Sequence, residues 1–524
     1  MKKVSKLLIT GVIGLCFPLI TGCNKNTDTD LHKEGRLSIV YYPGGYGKEY
    51  LVNFCKEFLA QKKGKTPSEI VEGKDFVLRG DQGITYGADY WITSDSRCPD
   101  VIISNYLNAK SVTQGYVLSL DSIYNTSIET SKGTKTIREY AMKEAADQFS
   151  LELRRGQTAK HTFAIPWTAI PISVAYNNTL LQKIPHTSSL PVGEGAIVNG
   201  KWNRVPETIA ELKACFADAE AYDSRINRFG WAPANGSNWL ETLMITWWAQ
   251  RQGVDSEHLY PGEGSYYDFW AYESANIFKQ TGLQDALSAI QDLLVKDGKF
   301  ANSFPSKTIG GVTIKNAQEA FAEGKVLFCL TGDFFEKEYE QTIQKYGQEF
   351  KMMRVPSIDG AVTNSDSSVK KLTYLNVSSC AYIPTKAANK DLAKEFLTYT
   401  CQENSCVEMS KTTGAIRPFD YDMRDHADAY ASLSTFKKSV FDMYYEADDY
   451  LVKYPRNVAT SDVSPIYLYE GVSECIYCGA TYSAIMTQLL SKSPNTIMVT
   501  GDTGFESIYS RAVRAFKEWN KKYK

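Results

Sequence analysis

The sequence has little of what metal or nucleophilic chemistry needs. Only five histidines stand among 524 residues, none paired at ligand spacing, and neither an HExxH nor a GxSxG motif occurs. Gly64-Lys65-Thr66 lacks the glycine five residues upstream that a phosphate-binding loop requires. Asp420, Asp422 and Asp425 begin with calcium-loop spacing, but Asp425 stands where that loop needs glycine, so the run reads as a solvated acidic turn. No metal and no cofactor is expected. Basic stripes with interleaved aromatics are missing too, which removes the electrostatic ground for a nucleic-acid partner. Beyond residue 20 there is no apolar run long enough to span a bilayer.

What is present at the N-terminus is an export pattern. Lys2, Lys3 and Lys6 precede the apolar run Leu7 to Ile20, which is too short and too rich in Gly11, Gly14 and Pro18 for a permanent span. Leu19-Ile20-Thr21-Gly22-Cys23 resembles the bacterial lipobox, so residues 1–22 are expected to be removed and Cys23 acylated. The polar stretch 24–35 would then be a tether, with more than one acyl chain giving a durable lipid anchor on the outer face of the cytoplasmic membrane. Losing three lysines from 58 basic residues leaves 55 against 60 acidic ones, a mature charge near −5. Of eleven cysteines, Cys16 leaves with the leader and Cys23 carries lipid. The remaining odd number at irregular spacing predicts mostly free, buried thiols with one or two bridges at most. Cys475-Ile-Tyr-Cys478 has neither a second pair nor a nearby histidine to make a zinc site.

The mature chain is too long for one core and holds two or three domains. Leu37 to Tyr42 reads as a strand, Gly44, Gly45 and Gly47 break it, and Tyr50, Leu51, Phe54 and Phe58 recur at helical spacing. Short strands follow at Phe76 to Leu78 and Pro99 to Ser104, the latter apolar on consecutive residues as a strand buried on both faces would be. Phe163 to Asn177 is β-rich, but Pro166 and Pro171 exclude an ordinary central strand, so it reads as a crossover between lobes. Helices are expected over 209–219, 239–252, 283–294, 317–322, 390–399 and 506–522, and strands over 326–330 and 381–383. This alternation is an α/β pattern with a largely parallel sheet in each domain.

Four stretches in order resemble the extracellular solute-binding proteins that serve carbohydrate ABC importers, the maltose-binding-protein group. They are Tyr41-Tyr-Pro-Gly-Gly-Tyr-Gly47, Pro99-Asp-Val-Ile-Ile-Ser-Asn-Tyr106, Ile165-Pro-Trp through Ala175-Tyr-Asn177, and Phe321 through Gly332. Asn389 to Leu397 and Gly414-Ala-Ile-Arg-Pro418 agree as well. The resemblance implies a two-lobe periplasmic-binding-protein-like fold of type II, with a hinge of crossing strands and a ligand cleft between the lobes. Lobe 1 would comprise 36–168 plus about 380–435, and lobe 2 about 172–375 plus 436–524, with uninterpreted insertions at 73–98, 126–160 and 420–465. It further implies a monomeric, non-enzymatic binder that delivers a small solute, a carbohydrate, to ABC permease subunits in the membrane.

Ligands of open α/β sheets sit beyond the carboxyl ends of the strands. The first-lobe candidates are therefore Tyr42, Gly44, Gly45 and Tyr46, then Ser104, Asn105 and Tyr106. A sugar needs rings for its C–H faces and amides or carboxylates for its hydroxyl edges. Trp167 and Thr168 at the crossover, Asn235, Ser237, Asn238 and Trp239 before a helix, and Asp333 and Phe334 after a strand supply both kinds, while Arg417 offers a rigid fork for a hydroxyl pair or an acidic sugar. Each ring has core packing as its ordinary alternative. A secreted glycan-degrading enzyme, with two carboxylates about 5 to 9.5 Å apart, and a binder of peptide, polyamine or organophosphate are the rival readings.

Overall fold

The computed structural model describes residues 31–523 except 87, 106, 152–160, 232–239, 256–262, 272–273, 297–298, 301–302, 305–313 and 453–487. The leader, Cys23, and the Cys475–Cys478 pair lie outside the described residues. The chain first lays down β1 (Leu37–Tyr41), β2 (Phe76–Gly80), β3 (Val101–Ser104) and β4 (Ile165–Pro166) in one sheet. It then crosses to a second sheet with β5 (Ile170–Asn177), β6 (Asn227–Gly230), β7 (Ser303–Phe304), β8 (Val326–Gly332), β9 (Phe350–Met353) and β10 (Leu372–Asn376). It crosses back for β11 (Cys380–Tyr382) and returns once more for β12 (Asp449–Val452). The first sheet has the order β2-β1-β3-β11-β4, and the second β7-β6-β8-β5-β10-β12, with β9 also pairing β5. This is a two-lobe α/β architecture.

Local sequence accounts for the elements. In α1 (Glu49–Lys63) Tyr50, Leu51, Phe54 and Phe58 make the buried face, the apolar stripe of a surface helix. Glu49 in its first turn and Lys62 and Lys63 in its last oppose the helix dipole. Gly64, at φ 61°, takes the left-handed position that ends it. All four residues of β3 are buried, because β1 and β11 flank it and side chains cover both faces.

Two expectations are corrected. The sheets are mixed rather than largely parallel: β1 pairs β2 and β3 in parallel, but β11 is antiparallel to both β3 and β4. In the second sheet β5 is antiparallel to β8, β9 and β10. Strands that arrive from the other lobe are not placed by a helix crossover, so their direction escapes the βαβ rule. The stretch 163–177 also holds a central strand after all. Pro166 closes β4 and Pro171 stands second in β5, opposite Leu375, so the missing amides fall where the ladder changes sheets and β5 runs on unbroken between β8 and β9.

One apolar cluster is continuous across the crossing. It runs from Phe54, Phe58 and Phe396 through Trp167 and Ala169 to Phe321, Phe335 and Phe350. Separate clusters fill the outer face of each sheet, around Trp247 and Leu287 in one and Val40 and Trp91 in the other. Among the described residues no helix is long and apolar enough to cross a membrane. The acidic turn is held by the neighbouring hairpin, where Lys132 and Lys135 reach Asp420 at 2.5 and 2.7 Å.

Cys55, Cys98, Cys215, Cys329, Cys380, Cys401 and Cys406 are all free and buried. Burial pushes the thiol of Cys406 up to about 11 and that of Cys401 to about 12, which starves both of thiolate near neutral pH. Peptide-resolved alkylation at pH 8 is accordingly expected to label none of these seven before unfolding. Native-state labelling at any of them would contradict the burial.

Candidate functional site

The two crossing segments lie side by side. Residues 167–169 link β4 to β5, residues 377–379 link β10 to β11, and the Trp167 amide donates to the Ser379 carbonyl at 2.7 Å. A third segment joins them, since the Ala169 amide donates to the Ile416 carbonyl at 2.8 Å. The carboxyl end of β8 arrives at this junction from the second sheet and places Asp333 one residue beyond Gly332. From the first sheet, the loop after β1 brings Tyr46.

Tyr46 and Asp333 meet directly. The Tyr46 hydroxyl donates to Asp333 Oδ1 at 2.5 Å, and the Ile416 amide donates to Oδ2 at 3.3 Å. Asp333 is 1% exposed. Burial lifts its carboxyl to about 7, although the Tyr46 hydroxyl and the Ile416 and Phe334 amides favour the charged form. Burial, together with this neighbouring carboxylate, likewise drives the Tyr46 phenol well above its ordinary range. Thr168 sits close enough to temper that phenol, yet its buried Oγ1 makes no hydrogen bond of proper geometry.

The aromatic part is built around the same junction. The Tyr46 ring stands edge-on to Phe334, with centroids 6.4 Å apart. Gly45, at φ +78°, lies so close to Phe334 that a Cβ would come within 3.3 Å of the phenylalanine Cβ, which is why a residue without a side chain fits there. Trp167 is 1% exposed, and its indole nitrogen points to the Tyr50 hydroxyl at 3.3 Å. Arg417 lies behind it, fully buried, its guanidinium 4.2 Å from the Trp167 ring centre and 5.2 Å from that of Phe419. The guanidinium donates to the carbonyls of Trp167 and Thr400.

Of the residues picked from sequence, Gly45, Tyr46, Trp167, Thr168, Asp333, Phe334 and Arg417 are thus brought together. Arg417 stands beneath the Trp167 ring rather than at an exposed surface. Tyr42 and Gly44 pack on each other within the loop, a Cβ on Gly44 meeting the Tyr42 ring at 2.5 Å. Ser104, at the end of β3, is buried and turns its hydroxyl to the Ile84 carbonyl at 3.4 Å; Asn105 beside it is half-buried. Tyr106, Asn235, Ser237, Asn238 and Trp239 lie outside the described residues. Sequence reasoning missed Tyr50, which it read only as one of four residues at helical spacing, and the Ile416 amide, a backbone donor that no residue type announces.

A cavity of about 620 Å³ opens elsewhere, lined by Met352, Met353, Val355, Leu372 and Met443. It lies in the fork where β9 and β10 pair successive parts of one edge of β5. Two of its charged groups are engaged with other side chains, Arg354 with Glu446 at 3.3 Å and Lys370 with Asp255 at 2.9 Å. None of the residues picked from sequence lines it. The strand-end junction, where rings and polar groups from both sheets converge, therefore remains the candidate site.

The family model of bacterial extracellular solute-binding proteins matches residues 98–438. No curated protein matches the chain by sequence. Among solved structures, a "probable secreted solute-binding lipoprotein" from Streptomyces coelicolor is similar at TM-score 0.57 and 12% identity, over 92% of this chain and 98% of that one. The cyclic alpha-maltosyl-1,6-maltose binding protein of Arthrobacter globiformis is similar at TM-score 0.56 and 12% identity, over 92% and 99%. A structure from work on xylan utilization by Caldanaerobius polysaccharolyticus aligns at TM-score 0.56 and 13% identity, over 93% and 100%.

Proposed function

The chain belongs to the bacterial extracellular solute-binding proteins, and from that membership we propose that it captures a carbohydrate by hinged closure and hands it to the membrane subunits of an ABC importer. Lobe 1, from 36–168 and about 380–435, and lobe 2, from about 172–375 and 436–524, close on a mono- or oligosaccharide. Cys23 carries the lipid that keeps the monomer at the outer face of the membrane. The observation that supports the reading best is the convergence of Tyr46, Phe334 and Trp167 with Asp333 and Thr168 where the two sheets meet. Rings to stack on C–H faces and short polar groups to meet hydroxyl edges are the two needs of a sugar site. Two of the solved structures of this fold come from work on maltosyl and xylan sugars, which favours sugar over peptide or polyamine.

Thermal-shift screening against a sugar panel tests this, because a ligand at a hundredfold excess over its Kd stabilises by about 2.7 kcal/mol. A bound sugar should also shrink the scattering radius, since contacts from both lobes favour the closed form, and should be recovered uncleaved. Phe334→Ala is expected to weaken the sugar that gives the largest shift by tenfold or more, about 1.4 kcal/mol. A response confined to peptides or polyamines, or an affinity unmoved by Phe334→Ala, would sink the assignment.

A further inference from the structure

The last helix, Ile508–Tyr523, has a charge distribution unlike that of the chain as a whole and corrects the expectation that no basic stripe occurs. Residues 511–524 carry six lysines and arginines against Glu518 alone, in a protein whose mature charge is near −5. Arg511, Arg514, Lys517 and Lys521 follow one another three, three and four residues apart, which puts them on one face, and all four are exposed. On the other side Ile508 and Ala512 are 3% and 0% exposed, where the helix packs against residues 275–279 and 496–500. Tyr509 fastens the seam, with the Lys279 ammonium 4.1 Å from its ring centre. Val513, 43% exposed, borders the basic face. One face is thus committed to the fold, and the other is a solvent-exposed, net-basic surface on which Arg514 is paired with Glu506.

We propose that this basic face rests on the anionic headgroups of the membrane surface to which Cys23 would tether the chain. Lysines and arginines are drawn to an anionic bilayer, while the acidic remainder of the body is repelled by the same surface. The helix therefore selects which side of the protein lies toward the lipid. A tether of residues 24–35 spans at most roughly 40 Å fully extended, so the surface stays within reach of the body. Ile508 and Ala512 are already buried inside the fold, so contact made through the exposed cations is weak and salt-sensitive. Nothing in this depends on the solute, so failure here leaves the carbohydrate reading as it stands.

Flotation of the mature chain carrying Cys23→Ser, with phosphatidylcholine vesicles with and without phosphatidylglycerol, tests the proposal. The expected result is binding to the phosphatidylglycerol vesicles alone, lost as salt shortens the screening length. The triple variant R511E/K517E/K521E should bind at least tenfold more weakly, with its circular dichroism spectrum and melt recorded alongside to show that it is folded under the assay conditions. Equal binding by the variant, equal binding to pure phosphatidylcholine, or no binding to either vesicle would overturn it. Retention on heparin without vesicle binding would also overturn it, by assigning the face to a soluble polyanion.

Discussion

Asp333→Asn is expected to raise Tm at pH 8 by about 2–4 °C and to make little difference near pH 4. The carboxyl titrates at about 7 in the folded protein, against an ordinary value near 4 in an unfolded chain. Between those values the folded state holds a proton that the unfolded state has released, so stability falls as pH rises through this window. Above about 7 both states are ionised, and the folded state bears the full cost of burying the charge. Three units correspond to about 4 kcal/mol, an upper figure for a group that also accepts hydrogen bonds. Asparagine can keep the Ile416 contact by turning its carbonyl to the amide and its NH2 to the Tyr46 oxygen, and it has no charge to desolvate. Paired melts of the two proteins across pH 4 to 9 cancel every other titrating group. A difference in Tm that does not grow between pH 5 and 7 would mean that the carboxyl is not raised.

The same variant separates stability from binding. A carboxylate that weakens the fold at neutral pH, where an amide would pack as well, has no structural reason to be there, and an acceptor for solute hydroxyls at a strand end supplies one. If Asp333 serves the solute, the stabilised asparagine variant should bind it less tightly at pH 8.

Much of this architecture was legible because burial writes itself into periodicity. The run Val101 to Ser104 announces a strand covered on both faces, and Leu283, Leu287, Ile290 and Leu294 announce the inner face of a helix that spans Thr281–Leu294. Periodicity reports which side chains are buried and says nothing of the direction of the neighbouring strand, so the antiparallel pairing of β5 and β11 was invisible. The site divides in the same way. Asp333 and Tyr46 could be picked because each follows a strand, but their contact joins residues 287 positions apart, and no local rule reaches that far. Arg417 was picked for its rigid fork, but two carbonyls and two aromatic faces hold that fork inside instead.

That burial yields the second large effect. Arg417→Ala is expected to cost about 3–5 kcal/mol: it leaves the carbonyls of Trp167 and Thr400 unpaired at about 1–3 kcal/mol each and removes a desolvated cation–π contact of about 2 kcal/mol. It also opens a hole under the indole. Against these stands relief from burying a guanidinium that no carboxylate among the described residues pairs, a term of several kcal/mol in the opposite direction. Arg417→Met divides the two. Methionine fills most of the volume and bears no charge, so the relief offsets the lost hydrogen bonds and its stability should stay within about 2 kcal/mol of wild type. Arg417→Lys should fall nearer to alanine, since an ammonium on a single stem can neither stack on Trp167 and Phe419 nor span two carbonyls. Chemical denaturation of the three variants reads the order directly. Because Trp167 rests on the guanidinium plane, all three should also weaken solute binding, methionine included, which a purely structural Arg417 would not do. An alanine variant within 1 kcal/mol of wild type would mean that the guanidinium does not hold the crossing segments together.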